Sequence, residues 1–477
     1  MTKTSIVWLR QDLRITDNLA IVEAAKFGNI LLVYIFDDCA PTEFKLGIGS
    51  KTWLHYSLKN LSTYKQNYNS SNHSIHLNIY KGNTSEIIEN LLCKYDIYGV
   101  FWNVCYEPWH IDQQNTVQNI CEQKNICYKA FNSNYLWNPA EMLKDDGDYY
   151  KVFTPYKKKA FSIPPRKVVQ LDNDVNYIRD TLNTCSLSDL NLLPQNITIP
   201  WASTCKAGQA QEVLNDFITT KLEGYKVGRD YPGRNHTSML SPYLHFGEIS
   251  PNQIWHRVYD NNILSPDIET FLNELIWREF GCYLLYHLKG KQLKDYNIKH
   301  ENNPEYIYAW QNGITGYPIV DAGMRQLQMT GYMHNRVRMI TASFLVKNLN
   351  IHWHIGRDWF WNYLADADFA SNTSNWQWVA GCGADAAPYF RIFNPVRQGE
   401  KFDENGDYTR QFVPELSKLP NEYLFKPWTA PKEILDNANI TLAKTNDIDT
   451  VSRQIYPRPI IDLRESRDNA IKRHKPN

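Results

Sequence analysis

Between Trp353 and Pro395 the chain reads WHIGRDWFWNYLADADFASNTSNWQWVAGCGADAAPYFRIFNP, with five tryptophans, Asp366 and Asp368 two apart, and Asn372 just beyond. That is more indole than a packed core calls for. Two carboxylates and an amide at this spacing offer acceptors and a donor to a planar, polar-edged heteroaromatic ligand. At about 100° per residue, Trp376 and Trp378 point to nearly opposite sides of a helix, one inward and one toward a cavity or solvent. Upstream, Thr237, Ser238, Met239, Leu240 and Ser241 run into Pro242, a residue suited to a first helical position. Hydroxyls and free backbone amides thus gather at a helix N-terminus, which is an anion site or an ordinary cap. FLNELIWREF sets Glu274, Trp277 and Arg278 at i, i+3 and i+4 on one helical face, read equally well as a solvated Glu–Arg pair beside a core indole. YMHNRVRMITASFLVK places Met333, Val337, Ile340 and Phe344 on a core stripe and groups Asn335, Arg338 and Met339 elsewhere. His334 stands about 100° round the helix from Asn335.

Two patterns are decoys. GCGADA at 381–386 satisfies a dinucleotide fingerprint, but no βαβ unit surrounds it. His352 and His354 flank Trp353, yet two residues apart on a helix they diverge rather than share a metal.

The elements that must hold these residues divide the chain. At 477 residues two domains are expected. Lys and Arg total 51 and Asp and Glu total 51, so a nucleic-acid partner would have to be met by a local basic groove. The start, MTKTSIVWLRQD, lacks the apolar region of a signal peptide, and no apolar run approaches a membrane span, which predicts a soluble, cytoplasmic protein with no membrane partner. Nine scattered cysteines read as reduced thiols, and no metal site is expected. Apolar strands at 5–10, 30–36 and 75–80, a fourth in YGVFWNVCYEP and a fifth in NICYKAF alternate with helices, one starting near Asn18 and one after the capping signal in GNTSEIIENLLCKY. This pattern describes a doubly wound parallel sheet over residues 1–130, with a ligand site beyond the carboxyl ends of the strands, near Arg10 to Arg14, Asp37 to Asp38 and Cys105 to Trp109. Residues 131–205, rich in Asn, Asp, Pro and Lys, read as an interdomain connection crossing the surface, with Lys157 to Lys159 a solvated patch. From 206 to 477 helical periodicity dominates, giving an α/β plus all-α fold.

WQWVAGCGADAAPYFRIFNP with QGEKFD at 398–403, the N-terminal WLRQDLRITDN, ELIWREF at 274–280 and GYPIVDAGMRQLQMTGYMHNRVRMITASFLVK at 316–347 resemble the DNA photolyase and cryptochrome family over nearly the whole chain, most of all a bacterial-type cyclobutane pyrimidine dimer photolyase. The resemblance implies a Rossmann-like antenna domain followed by a helical domain that binds FAD and UV-damaged DNA. By it, Tyr225 and residues Thr237 to Ser241 cradle the FAD diphosphate, Arg338 and Asp366 pair against the flavin, and Asp368 accepts from the ring NH edge. Asn372 faces the flavin nitrogen that gains or loses a proton, and Glu274, Arg278 and Asn335 complete the cofactor set. Glu274 also hydrogen-bonds the damaged pyrimidines, Trp277 stacks on them and Trp378 lines the cavity, while Arg229, Arg336, Arg391 and Lys401 meet DNA phosphates. The lesion is expected to leave the stack, photolyases being a standard instance of base flipping.

Trp376 and Trp353 match the proximal and middle members of the family's tryptophan chain for reducing the flavin in light. The surface member falls on His300, so this photoreduction is expected to leave through Trp359, Trp361 or a tyrosine, or to be slow. Relatives that open the (6-4) photoproduct carry His where Asn335 and Met339 stand, and neither residue here supplies a proton, so the cyclobutane dimer is the expected substrate. In the expected reaction, light drives an electron from reduced FAD into a flipped dimer, two carbon–carbon bonds break and the electron returns. The protein positions the reactants, excludes water and stabilises the transient anion, Glu274 above all. The alternatives are a blue-light-sensing cryptochrome, disfavoured by the short stretch after the flavin domain, and a (6-4) photolyase. After Tyr106 and Glu107 the chain continues Pro108, Trp109, His110, without the acidic ligand of one folate-binding branch. Methenyltetrahydrofolate is the expected antenna, with deazaflavin or a flavin as alternatives, and the working unit is expected to be a monomer.

Overall fold

The chain alternates strands and helices in its first third. Strands β1 (Lys3–Leu9) and β2 (Gly28–Phe36) are followed by a hairpin of β3 (Lys65–Tyr68) and β4 (Ser71–Ser74), then β5 (Leu77–Lys81), β6 (Ile97–Asn103) and β7 (Cys127–Phe131). Five of them form one parallel sheet in the order β5-β2-β1-β6-β7. The computed structural model describes residues 3–68, 71–171, 175–180, 184–194, 201–202, 205–260, 263–288, 300–388, 390–444 and 455–473. Period-two alternation gives the sheet two apolar faces: Ile6, Trp8, Leu31 and Val33 enter one core, and Val7, Leu9, Ile30 and Leu32 the other. Helices α1 (Leu19–Ala25), α2 (Ile48–Ser62), α3 (Thr84–Lys94) and α4 (Pro108–Gln123) supply the cover. Both expected caps are present: Asn18 accepts from the Ile21 amide at 3.3 Å, and Asn83 from the Ser85 and Glu86 amides at 2.9 and 3.2 Å.

The second unit is helical: α5 (Phe153–Ser162), α6 (Ala210–Thr220), α7 (Tyr225–Gly228), α8 (Ser241–His245), α9 (Pro251–Tyr259), α10 (Pro266–Leu288), α11 (Pro304–Asn312), α12 (Pro318–Thr330), α13 (Asn335–Ser343), α14 (Trp353–Tyr363), α15 (Phe369–Ala380) and α16 (Pro395–Phe402), with short helices beyond. A parallel pair, Thr441–Ala443 with Ile455–Pro457, is its one strand pairing among the described residues. The sheet face carrying Val7 shares a continuous core with α5, α6, α9 and α10. A second core is built on α12 to α15. The two units approach at backbone distance, since a Cβ on Gly49 of α2 would sit 2.2 Å from the Tyr363 carbonyl oxygen at the end of α14.

The stretch from 131 to 205 corrects the expectation of a plain surface connection. Phe153, Tyr156 and Ala160 lie at i, i+3 and i+7, and this stripe buries α5 against α10 while Lys157 turns outward to pair with Glu269 at 3.3 Å. Three consecutive lysines masked that stripe in the sequence. Further on, Asn176 and Ile178 exchange backbone bonds with Ile30 at 2.9 and 2.8 Å, adding to the start of β2. Parts of this stretch, at 172–174, 181–183, 195–200 and 203–204, lie outside the described residues.

Candidate active site

One face of α10 presents Glu274, Trp277 and Arg278 to a hollow of about 400 Å³. Opposite, α13 contributes Asn335, Arg338 and Met339, and α15 with the turn before it contributes Asp366, Asp368 and Asn372. Trp376 and Trp378 close the end, and Arg229 reaches in from α7. The hollow thus joins residues assigned from the sequence to cofactor binding and to DNA binding, within the volume range of small-ligand pockets.

Its charges are fixed by specific partners. Arg338 Nη2 donates to both oxygens of Asp366 at 3.1 and 2.9 Å, and Ser241 Oγ donates to the same carboxylate at 2.6 Å. Asp368 caps α15, accepting from the Ser371 amide at 2.7 Å, and lies 3.8 Å from His245 Nδ1. Burial opposes its ionisation, yet His245 and Arg278 hold the carboxyl down to about 2. Arg278 bonds to Glu279 at 2.8 Å rather than to Glu274. Burial pushes the Glu279 carboxyl up to about 7, against the pull of Arg278 and the Leu136 amide. Glu274 is ion-paired with Arg229. Asn372 is no cap; its amide donates to the Arg357 carbonyl at 3.0 Å, which fixes the orientation of the side chain.

Trp376 is buried edge-on against Phe360 and Trp310, at 5.0 and 6.3 Å between ring centroids. Gly356 makes room for that ring, since a Cβ there would lie 2.1 Å from it. Trp353 is buried one turn before Gly356 on α14. Its outer neighbour is the His352 ring, stacked at 6.0 Å, and His300 packs against His352 at 4.8 Å. Trp359 packs instead on Tyr363 at 4.6 Å, and the Trp361 indole donates to the Lys45 carbonyl at 2.8 Å.

The expected diphosphate cradle is partly separate from the hollow. Tyr225 is buried edge-on against Phe217 and Phe271. Met239 is left-handed at φ 55° and exposed, and Leu240 donates to Ser238 Oγ at 3.4 Å. Ser241 opens α8, with Leu240 at the cap position, and touches the hollow through Asp366.

Two of the four cations assigned to phosphates are already engaged. Arg229 holds Glu274, and Arg336 holds Asp230 at 2.6 Å with its guanidinium 4.4 Å over Phe402. Acids distant in sequence caused this. Lys401 lies over the same Phe402 ring at 5.0 Å, and Arg391 over Trp378 at 5.0 Å. His334 caps α13 through Nδ1, is 3% exposed and does not line the hollow; burial pushes its imidazole down to about 4, so it is neutral.

Beyond the sheet's carboxyl ends lies a hollow of about 290 Å³, lined among others by Arg10, Asp37, Asp38, Glu107, Trp109 and His110. Arg14, expected there, is instead a buried staple, donating to the Ser133 and Gly247 carbonyls at 2.8 and 2.9 Å. A third hollow, about 560 Å³, runs between the units past Trp109, Trp361, Asp112 and Arg357 to Asn372. Cys105, Glu107 and His110 are the one grouping of metal-ligand type among the described residues, and the Glu107 oxygens are taken by Gln11 and His110 at 2.9 and 3.1 Å. Sequence reasoning missed Trp310, Glu279 and Phe153 as neighbours of the site. The aromatic spacing in VFTPYKKKAF was the available signal for Phe153.

The donor set fits a flavin: an ionised Asp368, a charged Arg278, the Asn372 amide and the Arg338–Asp366 pair surround one hollow. Among the described residues, buried Thr373 Oγ1 finds no hydrogen-bond partner and His245 Nδ1 has only Asp368 near it, at 3.8 Å; both residues line adjoining hollows. No helix among the described residues is long and apolar enough to cross a membrane. Residues 271–476 match the family described as FAD binding domain of DNA photolyase, and residues 5–170 the family described as DNA photolyase. A deoxyribodipyrimidine photo-lyase of Agrobacterium fabrum is 40% identical, covering 98% of this chain and 97% of its own. The crystal structure of a bacterial class III photolyase from Agrobacterium tumefaciens has a TM-score of 0.91 at 39% identity, over 99% of this chain and 97% of that one. An archaeal photolyase from Sulfolobus tokodaii, solved with two FAD molecules, has a TM-score of 0.79 at 28% identity over 99% of each chain. With a hollow that fits a flavin and relatives that match from end to end, the chain belongs to the DNA photolyase family.

Proposed function

We propose that the protein is a deoxyribodipyrimidine photo-lyase, which uses light to reopen cyclobutane pyrimidine dimers in DNA. The observation that carries the reading is a single hollow in which Glu274, Trp277, Asn335 and Met339 face Asp366, Asp368 and Asn372. FAD bound there supplies light absorption and reversible one-electron exchange. The chain's own residues do the rest. Asp368 offers a permanent acceptor to the flavin ring's NH edge, and Asn372, locked by the Arg357 carbonyl, presents an amide on the neighbouring side. Glu274, ion-paired with Arg229, accepts from pyrimidine NH groups, and the exposed face of Trp277 receives the flipped bases. Asn335 and Met339 border the lesion without supplying a proton, and neutral His334 is turned away, which supports the cyclobutane dimer over the (6-4) photoproduct.

Methenyltetrahydrofolate is the proposed antenna, acting in a monomer with damaged DNA as partner. The hollow between the units, with Trp109 and Trp361 as flat faces, supports it; the second FAD of the archaeal structure makes a flavin the alternative. The test is to reconstitute the purified protein with FAD, reduce it, irradiate it with a dimer-bearing oligonucleotide and measure restored pyrimidines. Repair in light and none in darkness is expected; intact dimers under illumination would refute the reading.

A further inference from the structure

Phe153 opens α5 and lies flat on Trp277, with ring centroids 3.5 Å apart and planes 4° apart. Trp277 is 40% exposed and lines the hollow, whereas Phe153 is buried. The Phe153 side is therefore the fixed one. Phe280 packs edge-on behind both rings, at 5.8 Å from Phe153 and 5.9 Å from Trp277. The backbone ahead of α5 is tied to α10, since the Tyr150 amide donates to the Tyr283 hydroxyl at 2.9 Å. As the first helical residue, Phe153 has an amide with no partner inside α5, and it donates at 3.2 Å to Asp385 Oδ2.

Asp385 sits in the loop after α15, in the left-handed conformation at φ 51°. That loop folds back on the hollow's other indole, with the Ala387 amide donating to the Trp378 carbonyl at 3.2 Å. The start of α5 therefore bridges two walls of one cavity: it stacks on Trp277 and bonds to the loop that returns to Trp378.

We propose that Phe153, held by Asp385, is a positioning residue that fixes the Trp277 ring for stacking on a flipped pyrimidine dimer. This inference rests on the photolyase reading above. An indole this exposed on a helix rotates freely unless one face is occupied. Covering that face removes rotamer freedom before the ligand arrives and leaves the opposite face for bases. Asp385 sets where the covering ring stands, and so sets the spacing between Trp277 and the Trp378 loop.

The experiment measures, in the dark, binding of the FAD-loaded protein to oligonucleotides with and without one cyclobutane dimer, together with FAD content, melting temperature and repair yield per bound complex. Phe153→Leu, which keeps apolar bulk but removes the flat ring, is expected to weaken dimer affinity about tenfold, the size of one aromatic stack, and Phe153→Ala at least as much. Affinity for undamaged DNA, FAD content and repair per bound complex stay as in the wild type, and Phe153→Tyr restores dimer affinity. Asp385→Ala weakens dimer binding in the same direction and adds nothing to Phe153→Ala. The proposal is overturned if Phe153→Leu binds dimers like the wild type, if damaged and undamaged DNA lose affinity equally, or if the two alanine changes add. A wild-type protein that fails to prefer dimers sinks the photolyase reading instead.

Discussion

Arg338 and Asp366 form a forked pair in which one guanidinium nitrogen reaches both carboxylate oxygens, and Ser241 completes the carboxylate's bonding. The pair ties α13 to the turn before α15 and links the hollow to the start of α8. Asp366→Ala would leave the Arg338 guanidinium, 23% exposed, without its counter-charge. The expected cost is about 3 kcal/mol, typical of removing one partner from a buried pair, with FAD released on gel filtration. Full FAD retention and an unchanged melting temperature would contradict this role.

Glu274 and Arg229 are expected to act as a unit. Glu274→Gln should weaken dimer binding and lower repair quantum yield, with a loss of about ten- to a hundredfold in affinity, the range for a hydrogen bond to a charged acceptor. Arg229→Ala should lower affinity as well, by freeing the carboxylate from its fixed position. The double variant should lose less than the sum, measurable in a thermodynamic cycle. Glu274→Ala with unchanged yield and affinity would remove Glu274 from the mechanism.

Much of this site was legible from local spacing. Glu274, Trp277 and Arg278 share a face because the i, i+3, i+4 rule is local, and the same holds for Asn335, Arg338 and Met339 on α13. Pairings between residues far apart were not legible. Arg278 chose the adjacent Glu279 and left Glu274 to Arg229, a choice set by how α7 crosses α10. The five sheet strands followed from short runs, the inner ones strongly apolar, alternating with helices, while α5 was hidden because its lysines outweigh an apolar stripe of three residues. Arg14 looked like a ligand group at a strand end, but carbonyls of the adjoining segments consume its donors.

Burial of His334 predicts a pH signature. Its pKa is lowered from 6.5 to about 4, so between those values the unfolded chain binds more protons than the folded one. Stability therefore falls as pH drops from about 6.5 to about 4, by about 3 kcal/mol for this group, and levels off below. Glu279, raised from 4.5 to about 7, contributes the opposite slope, losing stability as pH rises between those values. The His334 part is read as a difference: His334→Asn, which keeps the cap, should have a flatter acid limb of melting temperature against pH than the wild type. Parallel curves would show that His334 is not buried as described.

Trp376 and Trp353 should separate photoreduction from repair. Trp376→Phe is expected to abolish light-driven reduction of oxidised flavin, while the chemically reduced variant repairs dimers as well as the wild type, because repair needs no electron from the indole chain. Trp353→Phe should slow photoreduction in the same way. Transient absorption after a flash checks both, and undiminished photoreduction in Trp376→Phe would place the electron route elsewhere.

The central claim is that one hollow joins a flavin to a cyclobutane dimer. Single-turnover irradiation of the FAD-loaded, reduced protein on two oligonucleotides, one bearing a cyclobutane thymine dimer and one a (6-4) photoproduct, tests it most directly. The cyclobutane dimer is expected to revert to thymines in light only, while the (6-4) lesion persists. A protein that holds FAD yet leaves the cyclobutane dimer closed, or that opens the (6-4) lesion instead, would contradict it.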